Sequence, residues 1–195
     1  FFNAARRRMT LVNRPWWGIR KAGMLETDDW KNFSDYSVVL RADSLDAPLA
    51  ELYGMIAFAY DGMFIGLPHL YEGAAKGLAH KYSGGTIKAH LAYSYNGRNW
   101  FRSLRKPFLG GCADDATGLA DDPRPMVWAT GHARDDAGNI LFYASATKME
   151  HGPAFHDPKS DADIFVYRLR KDGFVGLRTE NRNEESAVAF RQMVW

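Results

Sequence analysis

The chain has 195 residues, with 25 Lys+Arg against 23 Asp+Glu and a formal net charge of +2. That near balance gives no electrostatic footprint for nucleic acid, and no apolar run reaches the roughly 18 residues that a membrane-spanning segment needs. Cys112 is the only cysteine, so no intrachain disulfide supports the fold, and the compartment stays open.

Strand signals then dominate in chain order. Arg8 to Asn13 alternates and is broken by Pro15-Trp16-Trp17-Gly18; Gly18 to Leu25 and Tyr36 to Leu40 read as the next strands. Leu52 to Tyr60 is apolar and aromatic throughout, closes on Asp61-Gly62, and is followed at once by Met63 to Leu67, which predicts a hairpin. Thr86 to Tyr93 alternates into the Asn96-Gly97 turn, with Trp100 three residues beyond the glycine. A looser copy of that Ser-turn-Trp stretch stands upstream at Leu25 to Phe33, and such recurrence points to repeated β units. Trp100 and Trp30 are accordingly assigned to packing beneath their turns. Gly110 to Arg124 is acidic and without period, a long loop. Met126 to Thr130 pairs with Ile140 to Ala146 across Asp135-Asp136-Ala137-Gly138-Asn139. Glu150 to Asp161 is a polar loop; Ile164 to Leu169 is a strand, Lys171-Asp172-Gly173 a turn and Phe174 to Leu177 its partner. No segment sustains a 3.6-residue period, and Leu45 to Leu52 offers at most one helical turn.

The reading is all-β. Long connections divide the strands into units near residues 8 to 43, 51 to 106 and 124 to 177, each about the size of a propeller blade. Residues 1–178 would then hold about three to four blades of a β-propeller, with a β-sandwich as the alternative. Segment 179–195 would form a linker and the first strand of a β-sandwich, or a closing strand. A closed five-bladed ring needs more chain, supplied by the rest of a longer polypeptide or by another subunit.

Several segments, in matching order, resemble the five-bladed propeller glycoside hydrolases of families 32 and 43, and above all uncharacterised family 32-like proteins. Glu51-Leu52-Tyr53-Gly54-Met55 leading to Phe58 to Leu67 is similar to a blade opening of that superfamily. His90 to Trp100 looks like its LAYSxDGxxW strand and turn, with Asn96 in place of Asp, and Arg168 to Leu177 is similar to its LRxDGFVSL segment. Arg14, Arg20 and Thr27-Asp28-Asp29-Trp30 fit a further blade. The sequence departs from the family in having no WMNDPNG-like motif, which carries an Asp in the first blade, and no Glu-Cys pair.

The resemblance implies carboxylate acid/base catalysis on an oligosaccharide or polysaccharide, in which one carboxyl donates a proton and another attacks or activates water. By that analogy Glu51 is the expected general acid, with Asp43 (in an Arg-Ala-Asp run) and Asp46 as further catalytic carboxylates. Trp16, Trp17 and Tyr71 are expected sugar-stacking platforms, and Arg20, His69 and His151 expected partners of sugar hydroxyls. Six Trp and 14% aromatic residues suit such a site as well as they suit packing between β layers. No cofactor or metal is implied: Asp114, Asp115, Asp121 and Asp122 lack the Ca2+-loop spacing, and His132, His151 and His156 lack that of a zinc helix. Two other readings stay open, a carbohydrate-binding propeller without catalysis and a glycoside phosphorylase whose Arg and His bind phosphate.

Overall fold

The computed structural model of the chain describes residues 1–73, 84–110, 124–152 and 162–175. Every regular element among them is a strand, eleven in all. Strands β1 (Phe2–Asn3), β2 (Arg8–Asn13), β3 (Ala22–Thr27) and β4 (Ser37–Leu40) form one antiparallel sheet in that order. The second sheet has seven strands: β5 (Glu51–Tyr60), β6 (Met63–Glu72), β7 (Thr86–Ala89), β8 (Ala92–Ser94), β9 (Met126–Arg134), β10 (Ile140–Thr147) and β11 (Ala162–Leu169). Its order is β11-β10-β9-β7-β6-β5, with β8 paired to β6. All its ladders are antiparallel except a single parallel pairing, Ile87 with Met126 between β7 and β9. The seven-stranded sheet is thus two antiparallel meanders joined at one point. The strands fall into two sheets where the sequence predicts three units: the groups near 51 to 106 and 124 to 177 share the second sheet, joined through Ile87 and Met126.

Local chemistry explains the strand ends. Asp61 and Gly62 both take positive φ, 43° and 79°, which is the backbone of a two-residue hairpin turn whose twist matches its strands. The expected single strand from Thr86 to Tyr93 is two strands, β7 and β8, and Pro68 on the facing strand accounts for the break. His90 N–H donates to the Pro68 carbonyl at 2.8 Å, but proline has no N–H to return, so the ladder is half made there. Leu45 to Leu52 contains turns and the start of β5, with no helical turn. Phe174 forms no strand: it closes the turn after β11 and packs edge-to-face on Tyr60 at 5.0 Å, while Tyr60 donates to the Asp172 carboxylate at 2.6 Å. The expected long loop at 110–124 lies mostly outside the described residues, as do most of the 150–161 loop and all of 179–195.

The Ser-turn-Trp repeat survives as a hydrogen-bonding pattern with a shifted alignment. Ser94 Oγ accepts from Gly97 N–H (2.9 Å), and Asn96 Oδ1 accepts from Arg98 and Asn99 N–H (2.9 and 2.8 Å). Upstream, Thr27 Oγ1 accepts from Trp30 N–H (2.9 Å), and Asp29 Oδ1 accepts from Lys31 and Asn32 N–H (2.8 Å each). Trp30 therefore matches Gly97, both with positive φ (60° and 75°), and its ring is 58% exposed, which overturns its assignment to packing. Trp100 is buried as expected and its indole N–H donates to the Gly97 carbonyl at 3.1 Å.

Two main cores lie in and against the second sheet. One joins Leu52, Met55, Phe64, Leu70 and Trp100 to Ala22, Val12 and Leu40, so it binds the two sheets together. The other packs Phe58, Leu67, Ile140 and Phe142 with Phe108 and Phe174. A buried ion triad adds a polar link, in which Arg6 and the turn residue Arg98 both hold Glu26 of β3.

Candidate functional site

Glu51 is the first residue of β5, 2% exposed, and sits opposite Tyr71 of β6. One carboxylate oxygen accepts from Arg20 Nη1 at 2.7 Å. Arg20 lies just before β3, and its own carbonyl accepts from Leu52 N–H at 3.2 Å, so side chain and main chain both tie it to the start of β5. A bulge between Leu52 and Gly54 follows, leaving Tyr53 without a ladder partner. Bulges re-aim the residue they set free. Tyr53 here meets Arg20 and Arg14, whose guanidinium carbons stand 5.2 and 4.8 Å from its ring centroid. Arg20 also lies 5.2 Å from the centroid of the fully buried Tyr71.

His151, in the segment after β10, completes the cluster. Its Nε2 is 3.3 Å from the Tyr53 hydroxyl, and its ring stands 5.2 Å from that of Tyr53 and 5.0 Å from that of Tyr71. Main-chain bonds hold it there: His151 N–H donates to the Gly85 carbonyl at 2.9 Å, Gly85 N–H donates to the Glu150 carboxylate at 3.0 Å, and Tyr71 donates to the Gly84 carbonyl at 2.7 Å. The arrangement offers a carboxylate, a guanidinium, phenol hydroxyls and an imidazole together. All are groups that exchange hydrogen bonds with a polyhydroxylated ligand.

Of the residues expected to form a site, the structure brings together Arg20, Glu51, Tyr71 and His151. Asp43 and Asp46 belong to a different cluster. Arg105 holds Asp43 in a two-pronged pair, 2.9 Å on each arm, and reaches Asp46 at 3.4 Å, while Arg102 pairs with Asp46; the Arg102 and Asp46 side chains are 1% and 2% exposed. Arg105 bonding holds the Asp43 carboxyl below the usual aspartate range, against some burial. For Asp46, burial pushes up, but the bond from Arg102 and the nearby cations outweigh it and leave the carboxyl lowered. Beside them His90 is pushed down to about 4 by burial, then by the charge of Arg102, and is a neutral imidazole. Asp43, Arg102 and Arg105 line a cleft of about 390 Å3 with Trp100 and Tyr93.

His69 is buried in β6 and burial pushes it down to about 4, against a hydrogen bond to the Ala129 backbone, so it is a neutral group of the interior. Trp16 is 91% exposed and meets Trp17 edge-on at 6.1 Å; Trp17 packs on Tyr36 at 5.3 Å and receives Lys21 at 5.4 Å. Tyr53 was missed by the sequence reading, although its spacing of two from Glu51 places both on one strand face. No local signal marks Arg102 and Arg105 as partners of aspartates far upstream. Among the described residues no cluster of His, Cys, Asp and Glu is arranged to hold a metal ion, and no helix is long and apolar enough to cross a membrane.

No protein-family model, no curated protein and no solved structure matches the chain.

Proposed function

We propose that the chain is a carbohydrate-active protein of the glycoside hydrolase-like, five-bladed propeller type, and that sugar binds at the Arg20–Glu51–Tyr53–Tyr71–His151 cluster. The observation that carries this reading is convergence. Side chains from the segment before β3, from β5 and β6, and from the segment after β10 meet around one buried carboxylate. A propeller directs the inner edges of its blades at a common axis, and the three antiparallel strand groups would be such blades. The rest of the ring would come from a longer polypeptide or another subunit.

In this site the half-buried Tyr53 ring would pack on a sugar C–H face while Glu51, Arg20 and His151 take its hydroxyls, and the fully buried Tyr71 would support them from beneath. Contact with a guanidinium favours the charged form of a carboxylate. The burial of Glu51, 2% exposed, acts the other way and favours the neutral form, so both roles in glycoside cleavage stay open to it, proton donor and negative partner at the sugar ring. Asp43 and Asp46 are held as carboxylates by Arg102 and Arg105, so neither is the expected proton donor. The same observation favours a second reading, a carbohydrate-binding propeller without turnover, since each of the three carboxylates sits in an ion pair.

The test is a panel of aryl glycosides and oligosaccharides, assayed for release of product and for binding by calorimetry. For a hydrolase, Glu51→Gln should lower turnover by about 10²-fold or more while binding persists. For a binding protein, no member is cleaved, and Tyr53→Ala abolishes saturable binding. Absence of both cleavage and binding across the panel would refute the proposal, and undiminished turnover by Glu51→Gln would remove Glu51 from the mechanism.

A further inference from the structure

Away from the Glu51 cluster, a second cleft of about 380 Å3 opens between the β5–β6 turn and the turn after β11. That volume lies at the small end of the range for small-molecule sites, roughly 300–1,000 Å3. Four aromatic rings contribute to its wall, in two edge-to-face pairs: Tyr60 with Phe174 at 5.0 Å, and Tyr93 with Tyr95 at 5.8 Å. Two carboxylates join them, Asp61 from the first turn and Asp172 from the second. Among the described residues, the rest of the wall is aliphatic apart from Ser103, and no Lys or Arg lines it.

That composition has a definite chemical preference. An aromatic face carries negative electrostatic potential and attracts cations, most strongly weakly hydrated organic ones. Two carboxylates with no lining cation add net negative charge to the same space. A neutral sugar would gain stacking from the rings but nothing from that charge, and an anion would be repelled. Arg134, outside the lining, already stands 4.9 Å from the Tyr60 ring centroid, so the rings offered to a ligand are chiefly those of Tyr93, Tyr95 and Phe174. The Asp172 carboxylate is positioned: Oδ1 accepts from the Tyr60 hydroxyl at 2.6 Å, and Asp172 N–H donates back to that hydroxyl at 3.0 Å. Tyr95, 69% exposed, stands where a ligand entering from solvent would meet it.

We propose that this cleft is a binding site for an organic cation, an alkylammonium or quaternary ammonium group seated among Tyr60, Tyr93, Tyr95 and Phe174 and neutralised by Asp61 and Asp172. The site is independent of the carbohydrate reading and uses none of its residues.

Choline is the probe, titrated into the protein by calorimetry, with 3,3-dimethylbutan-1-ol as its uncharged isostere and cellobiose as the neutral sugar. Choline should bind saturably and at least about tenfold more tightly than the isostere, a difference of about 1.4 kcal/mol. Asp61 and Asp172 have positive φ, 43° and 58°, a conformation Asn tolerates, so Asp61→Asn with Asp172→Asn removes the charge without forcing the turns. That double variant should weaken choline at least about tenfold and leave the isostere unchanged. Tyr95→Ala removes an exposed ring and should weaken choline about fivefold or more with an unchanged melting temperature, which keeps the test informative if the double variant fails to fold. Tyr53→Ala should leave choline binding intact. The proposal is overturned if choline shows no saturable binding, or if the isostere binds as well as choline. It is equally overturned if cellobiose displaces choline in a manner abolished by Tyr95→Ala, or if the cleft variants leave choline binding unchanged.

Discussion

Replacing Glu26 by Gln tests whether a buried ion triad clamps the first sheet to the second. The Glu26 side chain is 1% exposed, and both its oxygens are in use: Oε1 accepts from Arg6 Nε at 2.6 Å, and Oε2 accepts from Arg6 Nη2 at 2.9 Å and Arg98 Nη2 at 2.5 Å. The amide that replaces it is neutral and turns an NH2 group towards one guanidinium. Breaking a buried pair by removing one partner costs about 3–5 kcal/mol. Both arginine side chains are about 40% exposed, at 39% and 41%, and can recover water, so the lower end, about 3 kcal/mol, is expected. For a chain of this size each kcal/mol moves the melting temperature by about 2–4 °C, which predicts a drop of about 6–12 °C at pH 7. Acid supplies the control. Burial alone would push the Glu26 carboxyl up, but the bonds and charges of Arg6 and Arg98 outweigh it and hold it below its ordinary value of 4.5. A depressed carboxylate stabilises the fold above its unfolded pKa and loses that contribution as pH falls through the folded value. Thermal melts of parent and variant should therefore differ most near pH 7 and converge as pH is lowered through and below 4. A gap under about 2 °C at pH 7, or one that stays constant into acid, would refute the clamp.

Two substitutions test the packing around the turn and the sheet junction. Gly66→Ala would place a Cβ 2.7 Å from Trp100 Cζ3 and 3.0 Å from Met55 Sδ, inside the core that joins the sheets. It should cost about 2 kcal/mol in a urea titration and alter the near-UV dichroism of the buried indole; an unchanged midpoint would mean that Trp100 is loosely held. Gly110→Ala combines a positive φ of 74° with a Cβ that would overlap the Val127 side chain, and should cost about 3 kcal/mol or more. Adding Val127→Ala should recover part of that loss, and strictly additive effects would count against the contact.

Most of the fold was legible because period-two alternation and turn chemistry are local signals. Asp61-Gly62 shows both: the dipeptide supplies two positive φ angles, and the runs on either side pair from Tyr60 with Met63 out to Glu51 with Tyr71. Legibility failed where a feature depends on a partner strand. The break at His90 and Leu91 is set by Pro68, some twenty residues upstream, and the alternation of Thr86 to Tyr93 runs through it unmarked. Trp30 misled for a related reason. The two turns share Thr or Ser, then Asp or Asn, as acceptors, and those residues set the alignment; matching the tryptophans instead slides one turn by three residues and buries the wrong ring.

The site divides along the same line. Glu51 and Tyr71 were readable as candidates from their own strands, yet that they stand opposite each other is a fact of register, and that Arg20 and His151 reach them is a fact of how the strand groups meet. Asp43 and Asp46 show the converse. They are close to Glu51 in sequence, but each finds its guanidinium on the far side of the β8 turn, at Arg102 and Arg105. A buried carboxylate has to be matched by a cation or hydrogen-bond donors, and the chain places its cations in two different segments. That requirement, and not proximity along the chain, separates the two clusters. It leaves the Glu51 cluster as the one where a charged pair, two tyrosines and an imidazole meet.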